Sequence, residues 1–248
     1  MTDTFRFATP DGVQIAVHTL GEGRPTLMLH GFLASAELNW VAPGIAAKVA
    51  ATGRKVIMPD LRGHGQSDAP TDPKMWPGDV LVTDQEALIA HLGLTDYDLA
   101  GYSLGARTAV RTLVRGARPA RCVLGGMGDS GVLQAGARAA MFEDSIRHGE
   151  KARDPVAGKY IHAAMAQGGL KAEAMLGVLA SFVVTTEAEL KAIPTPTLVV
   201  SGQDDDDNGS AEGLAALMRD AKATRVPGNH LSAVAEPALA EAITGFLG

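Results

Sequence analysis

The stretch Gly101-Tyr102-Ser103-Leu104-Gly105 decides the fold that the rest of the chain is expected to adopt. It closes the apolar run 98–100 and opens a segment in which apolar residues recur at the spacing of one helix face. A serine between a strand and a helix needs a sharp, strained turn, and a glycine two residues to either side removes side chains that would collide there. The stretch therefore predicts a nucleophile elbow, with Ser103 at a helix N-terminus where free amides favour negative charge.

Short apolar runs that alternate with helical patterns indicate an α/β protein. The runs are nearly continuous, as in strands buried on both faces, and lie at 26–29, 55–58, 98–100, 121–124, 197–200 and 224–226. Helical spacing separates most of them, near 38–52, 80–92, 104–116 and 210–221, and a last helix is predicted to begin at Pro237. We therefore predict a mostly parallel central sheet flanked by helices.

The first segments differ from these runs, because their apolar residues alternate with polar ones. Segments 5–9 and 13–20 flank Pro10-Asp11-Gly12, each residue of which favours a turn. The pattern predicts a half-solvated antiparallel pair of strands.

A helical cap is predicted where the alternation stops. Between 124 and 197 there is no strand-like run, only short helical patches rich in Ala, Gly and Met. We predict that residues 129–190 form a cap over the sheet, and that 1–128 and 191–248 form the core. Candidates for an apolar, adaptable substrate lining are Met127, Met141, Met165, Met175, Leu176 and Phe182, although packing of the cap onto the sheet is the favoured explanation for any one of them.

Composition argues against several classes of function. The chain has 248 residues and a net charge of −6 with dispersed Lys and Arg, which disfavours nucleic acid or an anionic membrane surface as a partner. The single cysteine, Cys122, lies in an apolar run and is expected to be a buried thiol in a reducing compartment. Neither a signal-peptide pattern nor an apolar run of 18 residues is present, so we expect a soluble, cytoplasmic protein.

The loops that follow the apolar runs are the candidate site, because ligands of open α/β sheets bind beyond the carboxyl ends of the strands. In His30-Gly31-Phe32, the glycine allows the amide of Phe32 to point into the site beside the amide of Leu104. Two amides aimed at one point form an oxyanion hole. His30 itself, and the glycine- and charge-rich segment 60–68, are expected to hold the loops in place.

An acidic turn, Asp204-Asp205-Asp206-Asp207, follows the run 197–200. Four adjacent aspartates cannot all be buried, so at most one or two can serve as the buried carboxylate that orients a catalytic histidine. The turn also matches the first half of a calcium-binding loop, but Ala215 stands where such a loop requires glutamate. We therefore reject a calcium loop, and no metal site is predicted.

His230 is the one histidine of seven on a sheet-end loop that comes after both the serine and a candidate acid. It lies in Pro227-Gly228-Asn229-His230-Leu231, directly after the last predicted strand. The chain order serine, acid, histidine is that of one class of Ser-His-Asp triad.

These motifs, in this order, resemble those of the α/β-hydrolase fold family over essentially the whole chain. The resemblance is carried by His30-Gly31-Phe32, segment 60–67, the stretch around Ser103, and Gly202 followed three residues later by Asp205. It implies Ser103 as nucleophile, His230 as base, and the predicted cap as a lid over the site.

The acid of the triad stays open among four residues. In the family's Gly-x-x-Asp turn, which begins here at Gly202, the acid is the fourth residue, Asp205. The run of aspartates leaves the register uncertain by one, so Asp204 and Asp206 are alternatives. Asp129 is a further alternative, because some relatives place the acid after the preceding strand.

The resemblance implies a serine hydrolase that forms an acyl-enzyme and needs no cofactor. We expect it to cleave carboxylic esters with small or medium neutral acyl groups, and a small-molecule acyl substrate is the only partner predicted. The serine disfavours epoxide hydrolases and haloalkane dehalogenases, which use aspartate at that position. Alternatives on the same triad are C–C bond hydrolysis, lactone or thioester hydrolysis and cofactor-free peroxyacid formation; a low-turnover ligand receptor is an alternative of another class.

Overall fold

An eight-stranded sheet forms the centre of the fold. The structure is a computed structural model that describes residues 2–134 and 136–248. The strands in chain order are β1 (Asp3–Ala8), β2 (Gln14–Leu20), β3 (Arg24–Leu29), β4 (Arg54–Pro59), β5 (Asp98–Tyr102), β6 (Cys122–Gly125), β7 (Thr197–Gly202) and β8 (Ala221–Val226). Their order across the sheet is β1-β2-β4-β3-β5-β6-β7-β8. The predicted α/β architecture with a mostly parallel sheet is confirmed.

The sheet begins with an antiparallel pair. β1 and β2 align Phe5 with Val17 and Phe7 with Ile15, and β2 is also antiparallel to β4. The predicted half-solvated character is wrong for β2, since Ala16 and His18 are buried as well. The segment 60–68 covers this second face, and its Ser67 hydroxyl accepts a hydrogen bond of 2.9 Å from the Ala16 amide.

The strands β3 to β8 are parallel to their neighbours. Every residue of β5 and β7 is buried, which explains why these strands read as continuous apolar runs. Alternate side chains of β3 face opposite layers, with Leu27 and Leu29 in one hydrophobic core and Met28 in the other. Because the parallel strands point the same way, the loops after β3, β5, β7 and β8 meet at one edge of the sheet.

Helices cover both faces of the sheet. In chain order they are α1 (Ile45–Ala50), α2 (Val80–His91), α3 (Leu104–Val114), α4 (Asp129–Leu133), α5 (Gly136–His148), α6 (Pro155–Gly168), α7 (Ala172–Ala180), α8 (Glu187–Ala192), α9 (Ala211–Leu217) and α10 (Pro237–Leu247). The α1 helix packs against α10 on one side, and α2 packs against α3 on the other. No described helix combines the length and the hydrophobicity needed to cross a membrane.

Two predicted helices differ from the observed ones. The segment 38–52 is divided into a short π-helix, Glu37–Val41, and α1, because Gly44 between them adopts a φ of 80°. The segment 210–221 ends as a helix at Leu217, and β8 begins at Ala221 rather than at Thr224. Pairing of Ala221 with Thr197 on β7 overrides the helical propensity of this stretch.

Within the described residues, five α-helices, α4 to α8, lie between β6 and β7. They occupy 129–192, close to the segment predicted as a cap. The α5 helix contacts α6 and α7, and α3 contacts α4 and α8. Side-chain bonds tie this region to the core, because the buried Arg107 of α3 donates to the carbonyl groups of Gly131 and Val183. The boundaries of the cap as a separate unit remain a prediction.

Candidate active site

Ser103 lies at the turn from β5 to α3 and has a strained backbone. Its φ of 51° and ψ of −111° are uncommon for a residue with a side chain. A Cβ on Gly101 would overlap the backbone of Gly105, and a Cβ on Gly105 would overlap the backbone of Leu29. The Ser103 amide donates a 2.8 Å hydrogen bond to the carbonyl of Gly125 on β6. Glycines therefore allow the close packing that holds the serine at the top of the sheet.

Replacing Gly105 with alanine is expected to lower the free energy of unfolding by about 3 kcal/mol, because backbone atoms cannot move aside for the new methyl group. Gly245→Ala is the matched control. It lies within α10 with no atom near the added methyl group, and is expected to stabilise the protein by up to about 1 kcal/mol. Urea unfolding of both variants tests the pair. Equal stabilities would contradict the close packing of the elbow.

His230 connects Ser103 to a buried carboxylate. The Ser103 hydroxyl lies 3.0 Å from Nε2 of His230, and Nδ1 of His230 lies 3.0 and 3.1 Å from the two carboxylate oxygens of Asp205. Burial disfavours the charge of Asp205, but the hydrogen bond from His230 outweighs it and holds the pKa of Asp205 below its ordinary value. An ionised Asp205 accepts the Nδ1–H, so Nε2 is free to take the serine proton.

The other candidate acids lie elsewhere. Asp204 and Asp206 are exposed, whereas only 3% of Asp205 is exposed. Asp129 accepts hydrogen bonds from the amides of Ser130 and Ser210, at 2.7 and 3.0 Å, and thereby supports the loop that follows Asp205. The structure thus brings Ser103, Asp205 and His230 together. Their catalytic roles stay predictions that the experiments below address.

Tyr102 is a positioning residue that the sequence analysis did not single out. Its hydroxyl donates a 2.8 Å hydrogen bond to the carbonyl oxygen of His230, and the two rings lie 5.6 Å apart. Burial raises the pKa of Tyr102, so the hydroxyl stays protonated and keeps this bond at neutral pH. The only signal in the sequence was its place next to Ser103.

The amides of Phe32 and Leu104 are both available near Ser103. Leu104 is the first residue of α3, and neither amide donates a hydrogen bond to another group of the described chain. The loop that carries Phe32 passes close to the serine, since a Cβ on Gly31 would lie 3.5 Å from the Cβ of Ser103. Asn39 fixes this loop by accepting a 2.8 Å hydrogen bond from the Gly31 amide.

His30 contacts the loops rather than the cavities. Its Nε2 accepts a 2.9 Å hydrogen bond from the amide of Leu61, so Nδ1 carries the proton and donates to the carbonyl of Gly31 at 2.8 Å. Burial lowers the pKa of His30, which keeps the ring neutral. These contacts suit the supporting role predicted for His30.

Asp60 joins three segments around the site. One carboxylate oxygen accepts from the amide of Ala36 at 2.8 Å, and the other accepts from the amide of Gln66 at 2.8 Å and lies 3.1 Å from the ring of His18. Burial disfavours the charge of Asp60, yet the bond from His18 and the two amides hold its pKa below the ordinary value. The charged carboxylate therefore braces the loop that carries Phe32.

Two cavities meet at Ser103. An inner cavity of about 180 Å³ extends toward α3, α4 and Phe182, and an outer cavity of about 540 Å³ extends toward α6 and the loop of His230. Both are lined by Phe32, Ser103, Arg138, Phe142 and Asp207.

The candidate lining residues fall into two groups. Met127 and Phe182 line the inner cavity, and Met141 lines the outer one. Met165 and Met175 are buried in the hydrophobic core, and Leu176 packs against it.

Two arginines that were not among the predicted site residues line the cavities. Arg107 of α3 lines the inner cavity, and Arg138 of α5 lines both. Arg138 forms a 2.9 Å ion pair with Asp207, which links α5 to the loop after β7. The sequence pattern of α3 predicted a buried face made of apolar residues only, so it did not indicate that Arg107 is buried.

One group of side chains has the composition of a cation site. Ligand atoms of Asp205, Asp207 and His230 lie within 4.8 Å of one another. However, the ring nitrogens of His230 face Asp205 and Ser103, and Asp207 is paired with Arg138. These contacts already use the groups that a cation would need.

Comparisons with known proteins agree with this architecture. A family model described as alpha/beta hydrolase fold matches residues 25–123. The chain is 34% identical over 110 residues to the AB hydrolase superfamily protein YisY of Bacillus subtilis, which covers 43% of this chain and 38% of that protein. It is 26% identical over 218 residues to a 2-hydroxymuconate semialdehyde hydrolase of Pseudomonas putida, covering 78% of this chain and 75% of that protein.

The structure also resembles that of the esterase EaEST from Exiguobacterium antarcticum. The TM-score is 0.79 at 19% identity, and the alignment covers 99% of both chains. At this identity the likeness concerns the fold alone. The matches to three curated relatives span 38%, 30% and 29% of those proteins, which is less than half of their length.

Proposed function

Because this chain belongs to the α/β-hydrolase fold family, we propose that it is a serine hydrolase that cleaves carboxylic esters through an acyl-enzyme. The observation that carries the proposal is the hydrogen-bonded series Ser103–His230–Asp205 beside the free amides of Phe32 and Leu104. This arrangement supplies a nucleophile, a base and two donors for an oxyanion, which together suffice for ester hydrolysis.

The mechanism follows from these positions. As the Ser103 oxygen attacks the ester carbonyl carbon, its proton passes to Nε2 of His230, and Asp205 stabilises the resulting imidazolium. The amides of Phe32 and Leu104 stabilise the developing oxyanion, at about 3–4 kcal/mol per donor in comparable sites. His230 then protonates the leaving alcohol, and a water molecule activated by the same imidazole releases the acid.

Covalent labelling provides a direct test. A fluorophosphonate is expected to modify Ser103 alone among nine serines, as identified by peptide mass spectrometry, because no other serine of the described chain hydrogen-bonds to a histidine that is paired with an aspartate. The protein is also expected to hydrolyse p-nitrophenyl acetate or butyrate. Absence of both labelling and turnover would contradict the proposal and favour a ligand receptor on the same fold.

Hydrolysis of a C–C bond is the second candidate. It is favoured by the similarity to the 2-hydroxymuconate semialdehyde hydrolase, which extends over 78% of this chain. Incubation with 2-hydroxymuconate semialdehyde and with p-nitrophenyl esters, at matched concentrations, separates the two reactions. A kcat/KM for the semialdehyde above that for every ester tested would replace the ester proposal.

A further inference from the structure

The two cavities at Ser103 are not equivalent, because His230 lines only the outer one. In a serine hydrolase the imidazole that receives the serine proton passes it to the leaving group. The leaving alcohol therefore departs through the outer cavity, and the acyl group occupies the inner cavity. This assignment rests on the function proposed above.

The cavities also differ in size. The outer cavity, of about 540 Å³, has an apolar rim in which the side chains of Leu38, Tyr160 and Leu231 are 53%, 56% and 63% exposed. The inner cavity has about a third of that volume, about 180 Å³. A large apolar alcohol and a short acyl group suit the two spaces.

Arg107 places a buried positive charge in the inner cavity, where an uncharged acyl chain would offer it no partner. Its side chain is only 7% exposed, and its guanidinium lies 4.7 Å from the centre of the Phe182 ring. It donates to the carbonyl groups of Gly131 and Val183, but no carboxylate of the described chain lies within 4.0 Å of its nitrogens. Burial and the nearby Arg111 lower the pKa of Arg107 to about 10, so the guanidinium remains charged at neutral pH.

No acidic side chain that lines the inner cavity is free to pair with this charge. Arg138 and Asp207, which also line the inner cavity, pair with each other at 2.9 Å. Arg111, one turn further along α3, pairs with Asp79 at 2.6 Å and with Glu189 at 3.4 Å. Asp79 also acts on Arg107 at longer range, but neither carboxylate lines the inner cavity. The lining of the inner cavity thus carries one positive charge in excess, at a buried position where an unpaired charge is costly.

We propose that the acyl group bound in the inner cavity carries a carboxylate that pairs with Arg107. The substrate class is then the monoester of a short dicarboxylic acid with an apolar alcohol. Ser103 immediately precedes α3, and Arg107 lies in the first turn of that helix, four residues later. The separation along the helix axis is about 6 Å, which suits a diacid of about four to six carbons. A guanidinium and a carboxylate form strong, oriented hydrogen bonds. The charged acyl group differs from the neutral one expected from the sequence.

The reaction remains ordinary ester hydrolysis. The Ser103 oxygen bonds to the ester carbonyl carbon, the bond from that carbon to the alcohol oxygen breaks, and His230 transfers the serine proton to that oxygen. Water then adds to the acyl-enzyme, which releases the dicarboxylic acid and restores the serine hydroxyl.

The test compares two benzyl esters of equal shape, benzyl hydrogen succinate and benzyl 4-methylpentanoate, with the release of benzyl alcohol measured by chromatography. We expect kcat/KM for the hemiester to exceed that for the neutral ester by about 30-fold or more in the unmodified protein, since burial strengthens the ion pair. Succinate is expected to inhibit hydrolysis of the neutral ester more strongly than 4-methylpentanoate does. A neutral ester cleaved as well as the hemiester would overturn the inference.

Variants locate the preference. Arg107→Gln is expected to lower the ratio of the two kcat/KM values at least tenfold. Arg107→Lys, which keeps the charge but loses the planar fork of donors, is expected to give a ratio between those of Arg107→Gln and the unmodified protein. The double variant Arg138→Gln/Asp207→Asn is the matched control in the same cavity, because it removes an ion pair without changing the net charge of the lining, and its effects on the two esters are expected to be similar. Loss of the preference in this double variant but not in Arg107→Gln would also overturn the inference.

The outcomes for this inference and for the proposed function are distinguishable. Hydrolysis of the neutral ester with labelling of Ser103, but without any preference for the hemiester, would leave the ester hydrolase standing and remove only the role of Arg107. Failure to cleave either ester, together with an unlabelled Ser103, would remove both. Should Arg107→Gln not fold, the ester ratio and the succinate inhibition of the unmodified protein still decide the inference.

Discussion

Replacing Ser103 with alanine is expected to lower kcat for p-nitrophenyl butyrate by about a million-fold. The variant loses the atom that bonds to the carbonyl carbon, while His230, Asp205 and the amides of Phe32 and Leu104 stay in place. Losses of this size are typical when the nucleophile of a triad is removed, because the remaining groups act as a unit with it. Initial rates of p-nitrophenol release, compared with the spontaneous rate, measure the effect.

The double variant Ser103→Ala/His230→Ala provides the control for this result. It is expected to be no slower than Ser103→Ala alone, because a base without a nucleophile contributes little. The unfolding midpoint of Ser103→Ala should remain close to that of the unmodified protein, which separates loss of chemistry from loss of fold. Activity of Ser103→Ala within a hundredfold of the original would contradict the role given to this serine.

Replacing Asp205 with asparagine is expected to lower kcat by about ten thousand-fold. The asparagine amide donates to Nδ1 of His230, where the carboxylate accepted, so the imidazole proton moves to Nε2. That nitrogen then cannot receive the serine proton. The substitution preserves the shape of the side chain. The loss of kcat is therefore attributed to the wrong tautomer of His230 and not to a packing defect.

Asp129→Asn is the matched comparison. Its remaining side-chain oxygen can still accept from the amides of Ser130 and Ser210, so we expect a stability loss of about 1 kcal/mol and a kcat near the original value. Parallel assays with one ester under the same conditions compare the two variants. Full activity in Asp205→Asn, with collapse in Asp129→Asn, would reverse the assignment of the acid.

Local patterns predicted the parts of the fold that depend on local physics. The turn at Ser103 follows from two glycines and from a change of apolar spacing, which all lie within a few residues. The start of β8 at Ala221 could not be predicted in this way. Ala, Lys and Ala favour a helix by themselves, and only the hydrogen bonds offered by β7 make them a strand.

In the candidate site, too, local sequence predicted some features, and contacts between distant residues determine the others. Chain order was enough to select Ser103 and His230, but not to choose within the aspartate run. A shift of one residue within the run would change which carboxylate faces the site. The pairing of β7 with β8 determines this register. Arg107 was missed for a related reason, since a cation on a helix suggests solvent until the cap helices cover it.

The contacts of Asp60 have a consequence for the energetics of catalysis. This carboxylate anchors Ala36, at the far end of the loop that presents the Phe32 amide, and it does so before any substrate arrives. Preorganised donors do not have to reorient as charge develops on the substrate oxygen. The free-energy cost of orienting the Phe32 amide is therefore met when the protein folds and does not add to the activation barrier. Asp60 thus contributes to stabilisation of the oxyanion by fixing the loop of Phe32, although its side chain does not contact the reacting atoms.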